Sequence, residues 1–184
     1  MTFSWTPHRF SGGALALDVA NAVVLRDDPA RRIDRFADPV AMDAFCAGAS
    51  NYGAERDLFG ALAPVREDAR NGLVALREAI DAHFRAEIEG TGTPDLLADL
   101  LEAIAATLRR SGARPQALDT ATARSALLLL AQPEPDRLKI CPNCRWLFID
   151  RSRNRSRAWC DMAVCGNRVK ASRHYRRRRG DQGP

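Results

Sequence analysis

The sequence predicts a mainly α-helical protein in two parts. The first is an N-terminal helical domain with a short strand or hairpin, and the second is a small C-terminal module made of a β-hairpin and a basic helix. Apolar residues recur at steps of three or four through much of residues 38–130, as on the buried face of a helix. Four of the five cysteines lie between Cys141 and Cys165, where arginines are also dense, so the chain changes character near residue 137.

The N-terminal part begins with a predicted turn at Gly12 and Gly13. These glycines favour a turn between a short strand and an apolar segment, which we interpret as a helix reaching about residue 24. Asp38 followed by Pro39 is typical of a helix start, with an N-cap residue and a first-turn proline. The pair predicts a short helix that ends near Ala49.

Three further helices are predicted before residue 131. The first covers residues 62–88, where the periodic apolar positions are Leu62, Val65, Ala69, Leu73, Leu76, Ile80, Phe84 and Ile88. Thr93 and Pro94 cap the second, which ends before Gly112. The third begins near residue 119 or 120 and carries four consecutive leucines at its end.

Pro133 and Pro135 mark the end of the helical part, because proline lacks the amide hydrogen that a continuing helix needs. The sequence therefore predicts a helical domain at residues 1–131 and a linker at residues 132–136. The C-terminal module then covers residues 137–184.

The formal net charge of +5 conceals opposite charges in the two parts. Residues 137–184 hold 14 Lys and Arg against 3 Asp and Glu, whereas residues 1–136 hold 14 against 20. This asymmetry predicts an acidic partner for the C-terminal module, either nucleic acid or another anionic surface.

The sequence carries no signal for a membrane or for export. No apolar run reaches the roughly 18 residues of a membrane-spanning helix, and the N-terminus lacks the basic segment and cleavage site of a signal peptide. We therefore expect a cytoplasmic protein. In that reducing compartment, clustered cysteines favour metal binding over disulfides.

The cysteines of the C-terminal module have the spacing of a four-thiolate metal site. Cys141 and Cys144 form a CxxC turn that aims two thiols at one point, and Cys160 and Cys165 supply a second pair. Zinc takes four such ligands at tetrahedral corners. We expect a zinc-ribbon-like hairpin whose strands are residues 146–149 and 158–159. A module this small needs the metal in order to fold.

The alternatives are two disulfides or four unrelated buried cysteines. A catalytic ion is disfavoured, because four thiolates leave no coordination position for water. His8, His83 and His174 lack the spacing of a second metal site or a catalytic triad, and Cys46 is interpreted as a core thiol. We therefore expect no enzymatic activity.

The predicted nucleic-acid contacts are basic residues on both sides of the last two cysteines. Residues 151–157, interpreted as the tip of the hairpin, alternate arginine with small polar residues, and residues 169–179 are interpreted as a basic helix. The planar guanidinium group of arginine suits phosphate oxygens, although a charged run can also be a solvated tail. The predicted contacts are Arg151, Arg153, Arg155, Arg157, Arg168, Lys170, Arg173, Arg176, Arg177, Arg178 and Arg179.

Residues 138–179, above all Cys165-Gly166-Asn167-Arg168, resemble the CGNR zinc-finger family, which is named for that tetrapeptide. The residues that also fit its pattern are Trp146, Phe148, Asp150, Ser152, Asn154, Trp159 and Lys170. The resemblance implies a metal at the four cysteines and suggests DNA binding.

The front part resembles the ABATE domain, which precedes this finger in bacterial proteins described as stress-induced transcription regulators. The resemblance lies in Phe10, Gly13 and the run from Leu15 to Asn21, and Ala22 departs from the family's threonine. Within the run, Asp18 and Asn21 are interpreted as a helix cap or a buried hydrogen-bonded pair.

We therefore expect a DNA-binding transcription regulator in which Zn²⁺ stabilises the basic module. The N-terminal domain is expected to sense an unknown ligand or to form a homodimer. DNA is expected in preference to RNA. The alternatives are an RNA-binding protein and a module that docks on acidic surfaces of other proteins.

Overall fold

The computed structural model describes residues 3–112, 114–132, 134–171 and 175, and the predicted mainly α-helical fold is confirmed. The α-helices are α1 (Leu15–Ala20), α2 (Pro39–Tyr52), α3 (Arg56–Phe59), α4 (Arg70–Glu89), α5 (Pro94–Ser111) and α6 (Leu118–Leu130). The strands form two antiparallel hairpins, β1 (Val23–Val24) with β2 (Ile33–Asp34) and β3 (Leu138–Ile140) with β4 (Leu147–Ile149). Within the described ranges, no helix combines the length and apolarity needed to cross a membrane.

The predicted caps of α2 and α5 are confirmed. The Asp38 carboxylate accepts a hydrogen bond from the Val40 amide at 2.9 Å. The Thr93 hydroxyl accepts one from the Leu96 amide at 3.4 Å, and Gly112 follows α5 with a φ of 55°. Such caps satisfy amides at the start of a helix that have no partner within it, and they depend on neighbouring residues alone.

The prediction that a helix begins at Leu62 is wrong, because α4 begins at Arg70. Pro64 biases the residue before it toward extended backbone. Ala63 is extended and bridges to the segment before α6, where its carbonyl accepts the Leu118 amide at 2.9 Å. Tertiary pairing therefore replaces the first two turns of the expected helix.

The N-terminal segment also differs from its prediction. Residues 7–10 form a 3₁₀ helix where a short strand was expected. The helix expected to reach residue 24 ends at Ala20, because Val23 and Val24 pair with β2. These two β-branched residues favour the extended conformation.

Helix α1 is buried along its whole length and lies at the centre of the fold. Leu15 and Val19 belong to an apolar cluster with Phe45 of α2. Leu17 belongs to a second cluster with Ile80 of α4 and apolar residues of α5 and α6. A six-residue helix is unstable by itself. Burial of each such side chain contributes about 1.5–3 kcal/mol, and this packing stabilises α1.

The C-terminal hairpin is present, but the prediction of a strand at residues 158–159 is wrong. Strand β4 instead pairs with β3, so that Leu138 lies opposite Ile149. The CxxC turn itself reverses the chain, and the Cys141 amide donates to the Trp146 carbonyl at 2.8 Å. The paired strands β3 and β4 are therefore close in sequence, because only the CxxC turn separates them. The expected partner at residues 158–159 lies beyond the arginine-rich segment.

Strand β4 is buried on both faces. Leu147 and Ile149 pack in the helical cluster, whereas Phe148 packs among the cysteines. On the far side of β4 from β3, the Asn21 side chain donates to the Leu147 carbonyl and accepts from its amide, both at 2.9 Å. The C-terminal module therefore packs directly on the helices. The linker predicted at residues 132–136 stays a prediction.

Candidate metal centre

The four cysteine side chains of the C-terminal module converge on one point. All four sulfur atoms lie within 4.8 Å of one another, and Cys160 Sγ is 3.5 Å from Cys144 Sγ and 3.6 Å from Cys165 Sγ. A disulfide bond is about 2.05 Å long, and all five cysteines are free. A tetrahedral ion with bonds of about 2.3 Å to sulfur places its sulfurs about 3.8 Å apart. The donor set therefore fits a metal ion.

The first pair of cysteines is positioned by the turn between β3 and β4. Cys141 follows β3, and its carbonyl accepts the Arg145 amide at 2.8 Å. Arg145 has a φ of 63°, in the left-handed region that reverses the chain after Cys144. This backbone geometry brings both thiols to the same side of the turn.

The second pair is positioned by a capped helical turn. Cys165 lies in a π-helical turn, Met162–Gly166, immediately after Cys160 and Asp161. The Asp161 carboxylate accepts the amides of Ala163 at 2.7 Å and of the following residue at 3.2 Å. The residues from 167 to 171 continue as helix, so the metal centre lies at the start of the predicted basic helix.

Aromatic side chains enclose the cysteines. Phe148 is fully buried and Trp146 nearly so, and Trp159 packs at the edge of the same cluster. The indole Nε1 of Trp146 donates to the Val23 carbonyl at 3.2 Å. With four sulfur ligands inside an apolar shell, the arrangement suits a structural ion.

Three of the cysteines oppose one another's ionisation. Hydrogen bonds from Cys144 and Cys160 lower the pKa of Cys141, and the same contacts with Cys141 raise the pKa values of Cys144 and Cys160. Without a metal, Cys141 therefore ionises more readily than Cys144 or Cys160. A divalent ion displaces the remaining protons and neutralises part of the negative charge.

A buried carboxylate, Asp150, shapes the arginine-rich segment 151–157. Its Oδ1 accepts the amide and hydroxyl of Ser152 at 2.9 and 2.6 Å, and its Oδ2 accepts the Arg157 amide at 2.9 Å and Lys139 Nζ at 2.6 Å. Burial alone would raise the pKa of Asp150, but hydrogen bonds from Lys139 and Ser152 lower it below its usual range. The expected hairpin tip is therefore a loop wound around one carboxylate after β4.

Arg157, predicted as a nucleic-acid contact, makes internal contacts. Its Nε donates to the Trp159 carbonyl at 2.8 Å, and a terminal nitrogen donates to the Cys160 carbonyl. Its guanidinium carbon lies 5.2 Å from the centre of the Phe148 ring. Arg157 thus links the loop to the metal centre.

Two other predicted contacts are exposed but have protein partners. Arg151 donates to the Gly13 carbonyl at 2.5 Å, which ties the loop to the N-terminal turn. Arg155 forms ion pairs with Glu134, at 2.5 Å, and with Asp136. Exposed pairs of this kind contribute about 0–1 kcal/mol, so phosphate groups can replace them at little cost.

Three predicted contacts, Arg153, Arg168 and Lys170, are exposed. Arg153 lies on the loop, and the other two lie on the helical segment after the metal centre. The remaining predicted contacts lie outside the described residues. They are Arg173, Arg176, Arg177, Arg178 and Arg179.

Two N-terminal residues for which the sequence indicated no such contact, His8 and Arg9, reach the metal centre. The His8 ring stacks on Trp146 at 5.4 Å, and its Nδ1 lies 3.0 Å from Asp161 Oδ2. Arg9 lies 5.5 Å from the same indole ring, and burial together with the nearby charge of Arg168 lowers its pKa. Nothing in the sequence pointed to these contacts, because more than 130 residues separate the partners.

No curated protein and no solved structure matches the chain. The family match covers residues 137–178, so the resemblance of the front part to the ABATE domain stays a prediction. The model of the family described as CGNR zinc finger matches residues 137–178, the segment that contains all four clustered cysteines, and this segment is therefore similar to a CGNR zinc finger.

Proposed function

We propose that this protein is a nucleic-acid-binding transcription regulator whose C-terminal module is held by a structural zinc ion. The observation that carries the proposal is the arginine-rich loop 151–157, which Asp150 and Lys139 fix beside the four cysteines. A loop that is already ordered loses less conformational entropy when it binds. Its exposed guanidinium groups are therefore already positioned to contact phosphate groups.

Zinc is the ion that best suits this donor set, because zinc has no geometric preference of its own and is commonly held by four thiolates. Four thiolates exceed the double positive charge of the ion, so the loaded site is anionic. Arg9 and Arg157 lie close enough to offset part of that charge. With its coordination shell closed, the ion is proposed to stabilise the fold and to take no part in catalysis.

The proposed phosphate contacts divide into two groups. Arg153, Arg168 and Lys170 are exposed and have no ion pair within the described part of the chain. Arg151 and Arg155 must first exchange a protein partner for a phosphate. Charge and guanidinium geometry support contact with the backbone of nucleic acid, and we propose duplex DNA as the partner.

The test is the salt dependence of binding by the full-length protein, measured by fluorescence anisotropy with a labelled 20-base-pair duplex. The wild type should show a steep linear fall of log K with log salt. The variant R153Q/R168Q/K170Q should reduce that slope by about 0.9 for each phosphate that it no longer neutralises. Arg109→Gln is the matched control, since Arg109 is exposed on α5, away from the metal centre.

An equal slope for the triple variant and the wild type would contradict the assignment of these three residues. Competition between duplex DNA, single-stranded RNA and heparin tests the partner class. A preference for single-stranded RNA would replace DNA by RNA in the proposal. Partners that survive nuclease digestion in a pull-down, together with no binding to either nucleic acid, would favour a protein-interaction module instead.

A further inference from the structure

A cavity of about 600 Å³ lies where α4, the end of α6 and the β3–β4 hairpin meet. Its volume is within the range of about 300–1,000 Å³ that is typical of small-molecule sites. The cavity lining includes none of the four cysteines and no residue of the arginine-rich loop 151–157, although Arg155 of that loop forms ion pairs with Glu134 and Asp136 of the lining. Ligand binding to the cavity is therefore measured in the absence of nucleic acid.

One wall of the cavity is apolar and belongs to the helical core. Phe84 of α4, Leu129 of α6 and Ile149 of β4 are almost completely buried, and Ile88 and Leu138 are partly buried beside them. An apolar wall of this kind provides binding free energy in proportion to the apolar area that a ligand covers. The occupant should therefore have a compact apolar body.

The charged residues of the lining are mostly acidic. Glu87, Glu134 and Asp136 contribute carboxylates, and Arg137 contributes one guanidinium. Glu134 and Asp136 are neutralised by ion pairs with Arg137 and Arg155. Glu87 forms no ion pair within the described residues, so it is the carboxylate that can meet a cation.

His83 lies beside Glu87 on the same face of α4 and is 94% buried. Its Nδ1 has no hydrogen-bond partner among the described residues. Burial lowers the pKa of His83, although the nearby Glu87 carboxylate opposes that shift. A second hollow, of about 390 Å³, shares His83, Glu87 and Leu130 with the first. Polar groups thus gather at one place beside an apolar wall, as in a small-molecule site.

We propose that this cavity binds an apolar organic amine, with its apolar body against Phe84 and Ile149 and its ammonium group at Glu87. The buried and unpartnered Nδ1 of His83 can form a hydrogen bond with the polar end of such a molecule. An anionic ligand is disfavoured, because it would place a negative charge beside the unpaired carboxylate.

Three probes that share one apolar body and differ in charge test the ligand class. They are 1-naphthylmethylamine, 1-naphthalenemethanol and 1-naphthoic acid, which at pH 7 are a cation, a neutral molecule and an anion. Titration of the full-length zinc-loaded protein, followed by calorimetry or two-dimensional NMR, should rank affinity as amine, then alcohol, then acid. The amine should bind about tenfold more tightly than the alcohol, as expected for one partly exposed charge pair.

Two variants of cavity residues, compared with one control, test whether the probes bind in the cavity. Glu87→Gln should abolish the difference between amine and alcohol, while Glu102→Gln, at an exposed position of α5, should preserve it. Leu130→Trp narrows the cavity and should weaken all three probes at least tenfold, with circular dichroism to show that the variant is folded. If no probe binds, if the acid binds best, or if Glu87→Gln leaves the ranking unchanged, the proposal is wrong.

Discussion

The amide side chain of Asn21 makes one of the buried contacts that join the helical part to the C-terminal module. It lies just after α1 and supplies both a donor and an acceptor to the backbone of Leu147. These two hydrogen bonds take the place of those that a neighbouring strand would form with the backbone of β4. The sequence indicated a helix cap or a buried hydrogen-bonded pair for Asp18 and Asn21. Asn21 is the C-cap residue of α1, so the cap is confirmed. The two side chains have separate partners, because the Asp18 carboxylate accepts the Gly12 amide at 2.8 Å and Asn21 pairs with a residue 126 positions away.

Replacing Asn21 by Ala should lower the free energy of unfolding by about 2–4 kcal/mol, because two buried backbone groups lose their partner. Urea unfolding followed by circular dichroism measures the loss. Asn51→Ala is the control, since Asn51 is exposed on α2. Equal stability of the two variants would show that water readily replaces the amide at Leu147.

The convergence of the four cysteines, in contrast, was predictable at the level of single residues. Cys141 and Cys144 are brought together by a local turn, so their spacing alone indicates that the two thiols lie close together. The exposure of the basic residues was predictable only in part. A charge pattern does not distinguish an exposed arginine such as Arg153 from Arg157, which donates to the Cys160 carbonyl.

At the scale of elements, strand β2 is attached to helix α4 by a bidentate ion pair. Arg77, 1% exposed, donates to both carboxylate oxygens of Asp34 at 2.6 and 2.7 Å. Glu78 is a second partner of the same guanidinium. Burial alone would raise the pKa of Asp34, but the hydrogen bonds and charge of Arg77 lower it overall.

Asp34→Asn should destabilise the protein by about 2 kcal/mol at pH 7, because a buried guanidinium loses one of its two carboxylates. A lowered pKa in the folded state means that this contribution is present above about pH 4, the pKa of an unfolded aspartate, and is lost as the pH falls further. Urea unfolding at pH 7, 5, 4 and 3 should therefore show the two proteins converging in acid. Asp99→Asn, at an exposed position of α5, is the control. A gap that stays constant down to pH 3 would contradict the role of Asp34.

Elements with local signals were predicted well, and elements set by distant pairing were not. The N-cap residues of α2 and α5, Asp38 and Thr93, directly precede the first residue of each helix. The sequence therefore predicted both helix starts correctly. The predicted start of α4 was wrong because Ala63 pairs with the backbone of Gln116 and Leu118, at the start of α6. The partner of β4 was wrong because aromatic and β-branched composition marks strands without fixing which strands pair.

At the scale of the whole molecule, the metal centre lies against the helical core, and β4 contributes to both. The N-terminal segment adds His8 and Arg9 to the far side of the same centre. Helices α1, α4, α5 and α6 also pack against one another. The helical part therefore has contacts of its own that do not pass through the cysteines.

Removal of the metal by a strong chelator should unfold the C-terminal module while most of the helix signal remains. Tryptophan fluorescence should change, because Trp146 and Trp159 pack around the cysteines. The melting temperature should fall by about 10 °C or more, since structural zinc contributes several kcal/mol. Retention of fluorescence and melting temperature after complete metal loss would contradict a structural role.

Elemental analysis of two variants provides the matched comparison. Cys144→Ala removes a half-buried ligand and should leave less than one zinc per chain. Cys46→Ala should retain about one zinc, because burial raises the pKa of this thiol to about 12 and Cys46 lies apart from the cluster. Equal zinc content in both variants would exclude Cys144 as a ligand.

The alternation along β4 limits how the chain can change in length. An extra residue between Cys144 and Leu147 would turn Phe148 toward the helices and its neighbours toward the sulfurs, so both interiors would be mispacked at once. An insertion at Arg153 would lengthen the loop that Asp150 closes between Ser152 and Arg157, but it would turn no side chain of β4. Natural or engineered insertions should therefore be better tolerated at Arg153 than at the three positions before β4.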